Sequence, residues 1–258
     1  MSLLFKALGE KTQMVPSISV IVPVYNESTR IEFAVDQVMS ALNSLDRRVR
    51  IEIIYVDDGS TDGSSDVIER LILDYPLVPS RLIKHQSNRG VGTAFINGVL
   101  LANCDFITLV AGDGIATQFG LEELWGNANF GLITLSNREN RYLNHCLRRL
   151  LSKLLGVWFT WLTKTRVVDP HGSFLVPTNV AKGVIKKIWG NDTTTDLDGT
   201  YHITFLQEAL RNALVYKTVN FSTNQELESN STVWNFYFLK KFVFTCFKIT
   251  LNKFAPRL

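Results

Sequence analysis

Two short apolar runs that end abruptly in acidic turns constrain the fold of this chain more than any other feature. Residues 19–24 are Ser-Val-Ile-Val-Pro-Val and continue into Tyr-Asn-Glu, and residues 54–56 are Ile-Tyr-Val and continue into Asp-Asp-Gly-Ser. Such runs are typical of buried parallel strands whose carboxyl ends open into a ligand crevice. Because a buried unpaired charge is costly, we expect the carboxylates at these strand ends to face a cation, a ribose or a base.

The first half of the chain alternates between strand and helix patterns. Short β-branched runs alternate with segments whose apolar residues recur at helical spacing. This order predicts an α/β fold with a mostly parallel central sheet, flanked by helices and joined by right-handed crossovers. The predicted strands are residues 19–25, 51–56, 81–84 and 105–110, and the predicted helices are residues 29–45, 62–73 and 91–102.

The second half of the chain is less regular. Strand patterns cover residues 132–135 and 214–221, and helix patterns cover residues 142–163, 180–189 and 201–212. A chain of 258 residues can form one large α/β domain with an appendage. We expect an N-terminal extension at residues 1–16, a single domain over residues 17–222, and a basic, aromatic and amphipathic tail over residues 223–258.

The charge of the chain argues against nucleic acid as a partner, because a formal net charge of +3 is too small for that role. Its basic residues concentrate in two stretches that are also rich in leucine or aromatic residues. Residues 138–166 contain seven basic residues and one acid, and the chain after Glu228 contains five basic residues and no acid. These stretches favour an anionic membrane surface, although packed helices with a solvated basic edge explain them too.

The sequence predicts a cytoplasmic chain that binds peripherally to the cytoplasmic face of a membrane. Its three cysteines are far apart and lack the spacing of a metal site or a disulfide framework. Residues 1–15 include Glu10 and no long apolar run, so they do not resemble a secretory signal. No stretch of about 18 apolar residues is free of charge, as a spanning helix requires.

The strand-end carboxylates suit the transfer of a sugar from a nucleotide diphosphate. That reaction requires a grip on the nucleoside and a divalent cation that neutralises the leaving group. Asn26, Glu27, Asp57 and Asp58 follow two adjacent strands, where a nucleoside would lie, and Asp113 follows a third strand. Turn formation and helix capping are the alternative explanation for these acidic residues.

Three motifs carry a resemblance to a known family. Ser-Val-Ile-Val-Pro-Val-Tyr-Asn-Glu, Val-Asp-Asp-Gly-Ser-Thr-Asp and Asn-Arg-Gly-Val-Gly-Thr-Ala begin at residues 19, 56 and 88. Together they resemble the family 2 glycosyltransferases of GT-A fold, in the branch of the dolichyl- and polyprenyl-phosphate mannose and glucose synthases. The resemblance covers residues 19–221. The nucleotide-binding residues that it implies are Pro23, Tyr25, Glu27, Asp57, Asp58, Arg89 and Gly90.

The resemblance also implies Mg²⁺ or Mn²⁺ held by an Asp-x-Asp motif. Here the matching segment is Ala111-Gly112-Asp113, so one carboxylate remains. One carboxylate, diphosphate oxygens and water can still hold such an ion, because Mg²⁺ usually keeps several waters. Asp113 is therefore the predicted metal ligand and catalytic residue, with Gly112 beside the nucleotide. We expect weaker metal affinity, and independence of metal stays open.

The resemblance places the acceptor on the middle of the chain. In that branch, basic residues of this stretch hold the acceptor's phosphate and the helices lie on the membrane. The matching residues are Arg138, Arg148, Arg149 and Ser173. A second departure lies at residues 226–232, which lack the Arg-x-x-Gly-x-Ser-Lys segment that closes over the diphosphate in the synthases. This departure leaves the closing loop and the donor open.

Three further residues are candidates for catalysis. His171 is either a catalytic or acceptor-contacting group or a loop histidine with local hydrogen bonds. Asp196 and Asp198 precede a predicted helix, in the region where inverting members that glycosylate hydroxyls carry their general base. A phosphate acceptor is already ionised and requires no base, so the role of these two aspartates depends on the acceptor.

We therefore expect an inverting glycosyltransferase with a UDP- or GDP-sugar as donor and a lipid-linked acceptor, either a polyprenyl phosphate or a lipid-linked glycan. One alternative is a transferase to a glycan hydroxyl in surface polysaccharide synthesis. Another is a sugar nucleotidyltransferase, but that class carries a Gly-rich, Arg-containing loop after the first strand. The third is a non-catalytic nucleotide-sugar-binding homologue, which Ala111 favours. The oligomeric state is left open between a monomer and a homo-oligomer.

Overall fold

The computed structural model describes residues 16–44, 49–110, 118–129, 131–138, 146–164, 173–190, 197, 201–212 and 215–221. Within these residues, strands and helices alternate through the first half, as the sequence predicts. The described strands are β1 (Ser17–Val24), β2 (Arg50–Asp57), β3 (Ser80–Lys84), β4 (Phe106–Leu109), β5 (Leu132–Arg138), β6 (Phe174–Pro177) and β7 (Val215–Phe221). The described helices are α1 (Ile31–Ser44), α2 (Ser64–Asp74), α3 (Val91–Leu101), α4 (Gln118–Gly126), α5 (Cys146–Thr163), α6 (Thr178–Trp189) and α7 (Tyr201–Asn212).

The described strands form a single sheet in the order β3-β2-β1-β4-β6-β5-β7. β1 pairs in parallel with β2 and with β4, and β2 pairs in parallel with β3. β6 is antiparallel to both of its neighbours, and β5 is parallel to β7. It follows that β1, β2, β3, β4, β5 and β7 all run in one direction, which confirms the predicted mostly parallel sheet.

Helices cover both faces of the sheet because its central strands are apolar on both sides. Ile21 and Ile54 belong to a buried cluster with residues of α3, α5, α6 and α7. Val20, Val22 and Ile53 belong to a second cluster, on the opposite face, with residues of α1, α2 and α4. The continuous apolar run in β1 is therefore explained by burial on both faces.

Two described elements are not predicted by the sequence patterns. β6 has four residues, too few to show a period, and α4 has nine residues with a weak apolar stripe. The N-terminal extension, apart from Pro16, and the tail at residues 223–258 lie outside the described residues. Among the described helices, none combines the length and apolar character required to cross a bilayer.

A buried carboxylate ties together the edge of the sheet where the parallel strands begin. One oxygen of Glu52, in β2, accepts hydrogen bonds from the Ser19 hydroxyl (2.5 Å) and the Asn103 amide (2.6 Å). Its other oxygen pairs with Arg81 at 2.9 Å. Burial raises the pKa of Glu52, but these hydrogen bonds and the Arg81 charge outweigh that effect and lower the pKa below its usual 4.5. Glu52 therefore remains ionised and joins β1, β2, β3 and the loop before β4.

We expect Glu52→Gln to lower the free energy of unfolding by about 1–3 kcal/mol at neutral pH, because two buried donors lose a charged acceptor. A lowered folded-state pKa contributes stability above the unfolded pKa that is lost as pH falls through the folded pKa. Denaturant unfolding at several pH values should show the wild-type advantage shrinking as the pH falls through and below the usual pKa of 4.5. Glu69→Gln is the matched control, because the Glu69–Lys84 pair is exposed. If the wild type remains more stable than Glu52→Gln by the same free energy of unfolding in acid, the stabilising role of the ionised Glu52 carboxylate is contradicted.

Candidate active site

The carboxyl ends of β1 and β2 lie side by side. Val24 is the register partner of Asp57, and the amide of Asp58 donates to the carbonyl of Val24 at 2.8 Å. In the sheet, β2 and β3 lie on one side of β1, and β4 lies on its other side. The carboxyl ends of β1 and β4 therefore form a topological switch point, where ligands bind in open α/β sheets.

The two adjacent aspartates after β2 have different partners. Asp57 is buried, with one oxygen accepting from the Ser60 amide at 2.8 Å and the other in contact with the Ser65 hydroxyl. This pattern is that of a turn-forming carboxylate, the alternative that the sequence left open. A nucleotide contact for Asp57 stays a prediction.

Asp58 is also buried, but its hydrogen bonds fall on one oxygen. The Oδ1 atom lies 2.7 Å from Nδ1 of His85 and accepts from the Arg89 amide at 2.9 Å. Nε2 of His85 lies 2.9 Å from the side-chain amide nitrogen of Asn97. Within the part of the chain that the structure describes, Oδ2 of Asp58 has no hydrogen-bond partner. Asp58 therefore keeps an acceptor for a ligand.

Hydrogen bonds lock the loop after β1 onto the loop after β2. The amides of Asn26 and Glu27 donate to the hydroxyls of Ser60 and Ser64, each at 2.9 Å. Asn26 has a φ of 55°, which an asparagine tolerates better than most residues. These bonds fix where the chain turns away from the sheet.

Asp62 forms a second link between the same two loops. Its oxygens accept from the Ser28 amide at 2.9 Å and the Ser64 amide at 3.0 Å. Burial alone raises the pKa of Asp62, but hydrogen bonds from Ser64 and Ser28 outweigh it and lower the pKa to about 2. The Asp62 carboxylate that forms this link is therefore ionised at neutral pH. Asp62 does not occupy the N-cap position of α2, which is Gly63.

The remaining predicted residues of β1 differ in exposure. Pro23 is buried inside β1 as the partner of Val56, so it shapes the strand. Tyr25 is 45% exposed directly after β1, where its ring is available for stacking. The Glu27 carboxylate pairs with Arg30 at 2.6 Å, and its carbonyl accepts the Ile31 amide at the start of α1.

The loop before α3 is anchored from across the molecule. The Leu197 amide donates to the Arg89 carbonyl (3.1 Å) and the Thr93 hydroxyl (2.9 Å), and the Leu197 carbonyl accepts the Gly92 amide (2.8 Å). Gly90 has a φ of 89°, which favours glycine there. Leu197 is flanked by Asp196 and Asp198, so these bonds tether the chain between the two candidate bases to the predicted nucleotide loop.

The predicted acceptor residues are partly described. Arg138 ends β5, and the carbonyl of Ser173, which precedes β6, accepts the Ser136 amide at 2.9 Å. Because β5 is parallel to β1, Arg138 and Ser173 lie at the same edge of the sheet as Asp58. Arg148 belongs to α5, as does Arg149. The site residues outside the described part of the chain are Gly112, Asp113, His171, Asp196 and Asp198.

The sequence patterns did not single out His85 or Asn97. His85 follows β3 directly, so the rule that flagged polar residues after β1 and β2 was also available there. Asn97 lies within α3 and carried no signal of its own, because its contact with His85 depends on how α3 packs. Among the described residues, no group of three or more His, Cys, Asp or Glu side chains is arranged to hold a metal ion.

This sheet order, with an acidic turn at the switch point, is that of the GT-A class of glycosyltransferase folds. Residues 19–171 match the family model described as glycosyl transferase family 2. That match covers more than half of the 258 residues, and the chain belongs to this family. The fold and family expected from the three motifs are confirmed.

Curated relatives are similar over a limited part of their length. A dolichyl-phosphate beta-glucosyltransferase from Dictyostelium discoideum is 36% identical over 120 residues, which are 45% of this chain and 36% of that protein. Its counterpart from Homo sapiens is 35% identical over 105 residues, which are 40% of this chain and 32% of that protein. The aligned part of the chain thus spans about a third of the length of these relatives.

Solved structures share the fold at low identity. Glucosyl-3-phosphoglycerate synthase from Mycobacterium tuberculosis, in complex with Mn²⁺, UDP and phosphoglyceric acid, has a TM-score of 0.58 at 14% identity, covering 92% of this chain and 78% of that one. A mannosyltransferase from Pyrobaculum calidifontis, in complex with GDP-mannose and Mn²⁺, has a TM-score of 0.54 at 17% identity, covering 81% and 58%. They confirm the GT-A architecture.

We expect Gly92→Ala to displace Leu197 from the nucleotide loop. An added Cβ would lie 2.7 Å from the Leu197 Cβ and 2.8 Å from both the Leu197 carbonyl oxygen and the Tyr201 ring. The substitution should lower the free energy of unfolding by about 1–3 kcal/mol and weaken binding of UDP or GDP. Denaturant unfolding and calorimetry measure the two effects. Gly183→Ala in α6 is the control, because nothing lies within 4 Å of its added Cβ. If Gly92→Ala and Gly183→Ala have the same stability and the same nucleotide affinity, the contact of Leu197 with the nucleotide loop does not support nucleotide binding.

Proposed function

We propose that this chain is an inverting glycosyltransferase that moves a sugar from a UDP- or GDP-sugar to a lipid-linked acceptor, a polyprenyl phosphate or a lipid-linked glycan. The observation that supports this most is the single edge of the sheet shared by the residues of both substrates. Tyr25 and Asp58 follow β1 and β2 at that edge, Arg138 ends β5 there, and Ser173 precedes β6 there. A donor and an acceptor bound there would meet across β4.

The donor half of the site would bind the nucleotide. Tyr25 offers an exposed ring for stacking on the base, and Asp58 offers an acceptor oxygen for a base or ribose donor. Arg89 and Gly90 follow β3 and precede α3, whose amino-terminal end favours negative charge. The solved structures of similar fold bind UDP in one case and GDP-mannose in the other, which supports both classes of donor.

Asp113 would hold Mg²⁺ or Mn²⁺ together with the donor diphosphate. β4, four residues before Asp113, is paired with β1, and the Val110 amide donates to the Ile21 carbonyl at 2.9 Å. The described chain thus reaches the switch point at Val110, three residues before Asp113 in the sequence. The Mn²⁺ of both fold neighbours supports such an ion. A bound ion would neutralise the charge that develops on the leaving diphosphate.

The acceptor attacks the anomeric carbon in line with the leaving group. A new carbon–oxygen bond forms as the bond to the diphosphate breaks, and the nucleoside diphosphate departs with the bonding electrons. The chain's part is to hold both substrates in that geometry. A phosphate acceptor would be oriented by Arg138, Arg148, Arg149 and Ser173. The names of two relatives, both dolichyl-phosphate beta-glucosyltransferases, support this assignment.

We expect transfer to undecaprenyl phosphate in vesicles when UDP- and GDP-sugars are screened with and without Mn²⁺. Nucleoside diphosphate release together with labelled lipid measures the reaction. Asp113→Ala should lower turnover about 100-fold or more, because leaving-group stabilisation is lost. Asp74→Ala, at an exposed position at the end of α2, is the control. Near-normal turnover of Asp113→Ala would overturn the role of Asp113. Nucleotide binding without transfer to this lipid would favour a glycan acceptor, and failure of every acceptor would favour the non-catalytic alternative.

The face of α5 that is turned to solvent supports a membrane surface as the place of action. Leu150, Leu154, Val157 and Trp161 recur at helical spacing and are 48–69% exposed. Phe159, on the opposite face, is fully buried. Basic residues accompany this stripe, so an anionic bilayer on the cytoplasmic face would cover its apolar surface and meet its charge.

We expect the double substitution Leu154→Glu and Val157→Glu to weaken binding to anionic phospholipid vesicles about tenfold or more, since it removes apolar area and adds like charge. Vesicle sedimentation measures this binding. Leu77→Glu is the matched control, because Leu77 is 95% exposed in the turn between α2 and β3. If both proteins sediment like the wild type, the stripe is not the membrane-binding surface.

Transfer to a glycan hydroxyl is the second candidate, and the tether at Leu197 favours it. A hydroxyl acceptor requires a base, and Leu197 lies between Asp196 and Asp198 and is bonded to the nucleotide loop. Residues 226–232, without the synthases' closing segment, favour it as well. Asn substitutions at Asp196 and Asp198 distinguish the two candidate functions. Transfer to a hydroxyl should slow when its general base is removed, whereas transfer to a phosphate should not.

A further inference from the structure

A buried histidine and a buried carboxylate meet at the edge of the proposed nucleotide site. The side chains of His85 and Asp58 are 6% and 3% exposed, and their hydrogen-bonded atoms lie 2.7 Å apart. Backbone bonds hold both residues, since the His85 amide donates to the Asp57 carbonyl and the Asp58 amide donates to the Val24 carbonyl, each at 2.8 Å. The geometry of this pair is therefore set by the sheet.

The contact with Asn97 decides which nitrogen of His85 carries the proton. The side-chain amide nitrogen of Asn97 lies 2.9 Å from Nε2 and is a donor. With the Asn97 amide nitrogen facing it, Nε2 is assigned as the acceptor and Nδ1 as the nitrogen that carries the ring proton. The Nδ1–H group then donates to Oδ1 of Asp58. Asn97 thereby fixes both the tautomer and the plane of the ring.

The second donor to Oδ1 of Asp58 makes its two oxygens unequal. Nδ1 of His85 and the Arg89 amide both donate to Oδ1, at 2.7 Å and 2.9 Å. Oδ2 has no partner among the described residues. Asp58 is thus held with one oxygen committed to the protein and one available to the nucleotide.

We infer that His85 is a positioning residue for nucleobase recognition and that it biases the site toward uracil over guanine. Uracil offers a single ring N–H donor between two carbonyls, which one free carboxylate oxygen can satisfy. Guanine offers a ring N–H and an amino group side by side, and these pair best with two free carboxylate oxygens. With Oδ1 occupied, one of the two guanine donors would be left poorly paired. An unpaired polar group in the site is a strong basis for discrimination against a guanosine nucleotide.

This inference rests on the proposed function, because it requires a nucleotide beside Asp58. A purely structural role for His85 predicts something different. If His85 only braced the loop, its loss would weaken the binding of every nucleotide by the same factor. If it orients Asp58, its loss should change the ratio between uridine and guanosine nucleotides.

The test is calorimetric binding of UDP and GDP, each with Mn²⁺, to the full chain. The wild type should bind UDP about tenfold tighter than GDP or more, as expected for a charge-assisted hydrogen bond. His85→Leu removes the donor and should weaken UDP about tenfold while bringing the two affinities close together. His85→Asn retains an N–H near the position of Nδ1 and should restore most of the preference. Wild-type preference for GDP, or equal weakening of both nucleotides in His85→Leu, overturns the inference.

A ligand variant keeps the test decisive if His85→Leu does not fold. UDP methylated at N3 of the base lacks the ring donor, so the wild type should bind it about tenfold more weakly than UDP or worse. Equal binding of the two nucleotides overturns the inference. These readouts are independent of acceptor and transfer, so failure of transfer to a lipid leaves them standing.

Discussion

The in-register parallel pairing of β1 with β2 is the interaction on which the rest of the site depends. It aligns Val24 with Asp57 and so brings the two polar turns to the same level at one edge of the sheet. A slip of one residue would exchange the faces of every side chain in these strands. Because the strands are buried on both faces, the cost of such a slip falls on the whole core, and packing far from the site keeps the carboxylates in place.

Neighbouring acids at this edge have separate roles because their partners differ. Asp57 accepts bonds from Ser60 and Ser65 within the segment that follows β2. Asp62 accepts from the Ser64 hydroxyl and from the Ser28 amide, and so joins the loops after β1 and β2. Asp58 accepts on one oxygen and keeps the other available. The acidic motif therefore both braces the two loops and supplies the candidate nucleotide contact.

The sequence was informative where function follows from local pattern. The apolar run of β1 and the position of Asp58 after β2 were predictable, since strand ends are visible in a single segment. Asn97 donating to His85 was not, because it joins the middle of α3 to the end of β3. The hydrogen bond between the Leu197 amide and the Thr93 hydroxyl joins residues 104 positions apart in the sequence. It was not predictable either, because the backbone amide of Leu197 leaves no mark on the residue type. The short strand β6 shows no period of its own.

β6 explains how the proposed acceptor residues, which come from distant parts of the sequence, reach the edge proposed for the donor. The parallel strands end at that edge, whereas β6, running the other way, begins there. Arg138 at the end of β5 and Ser173 before β6 are therefore brought together, and the connection between them starts and finishes at the site. α5 lies on this connection, so the chain leaves the proposed reactive edge and returns to it. The helices that precede the parallel strands instead lead to the opposite edge of the sheet. Under the proposed function, an apolar stripe on such a helix would present a membrane-borne acceptor to the edge where the donor would bind.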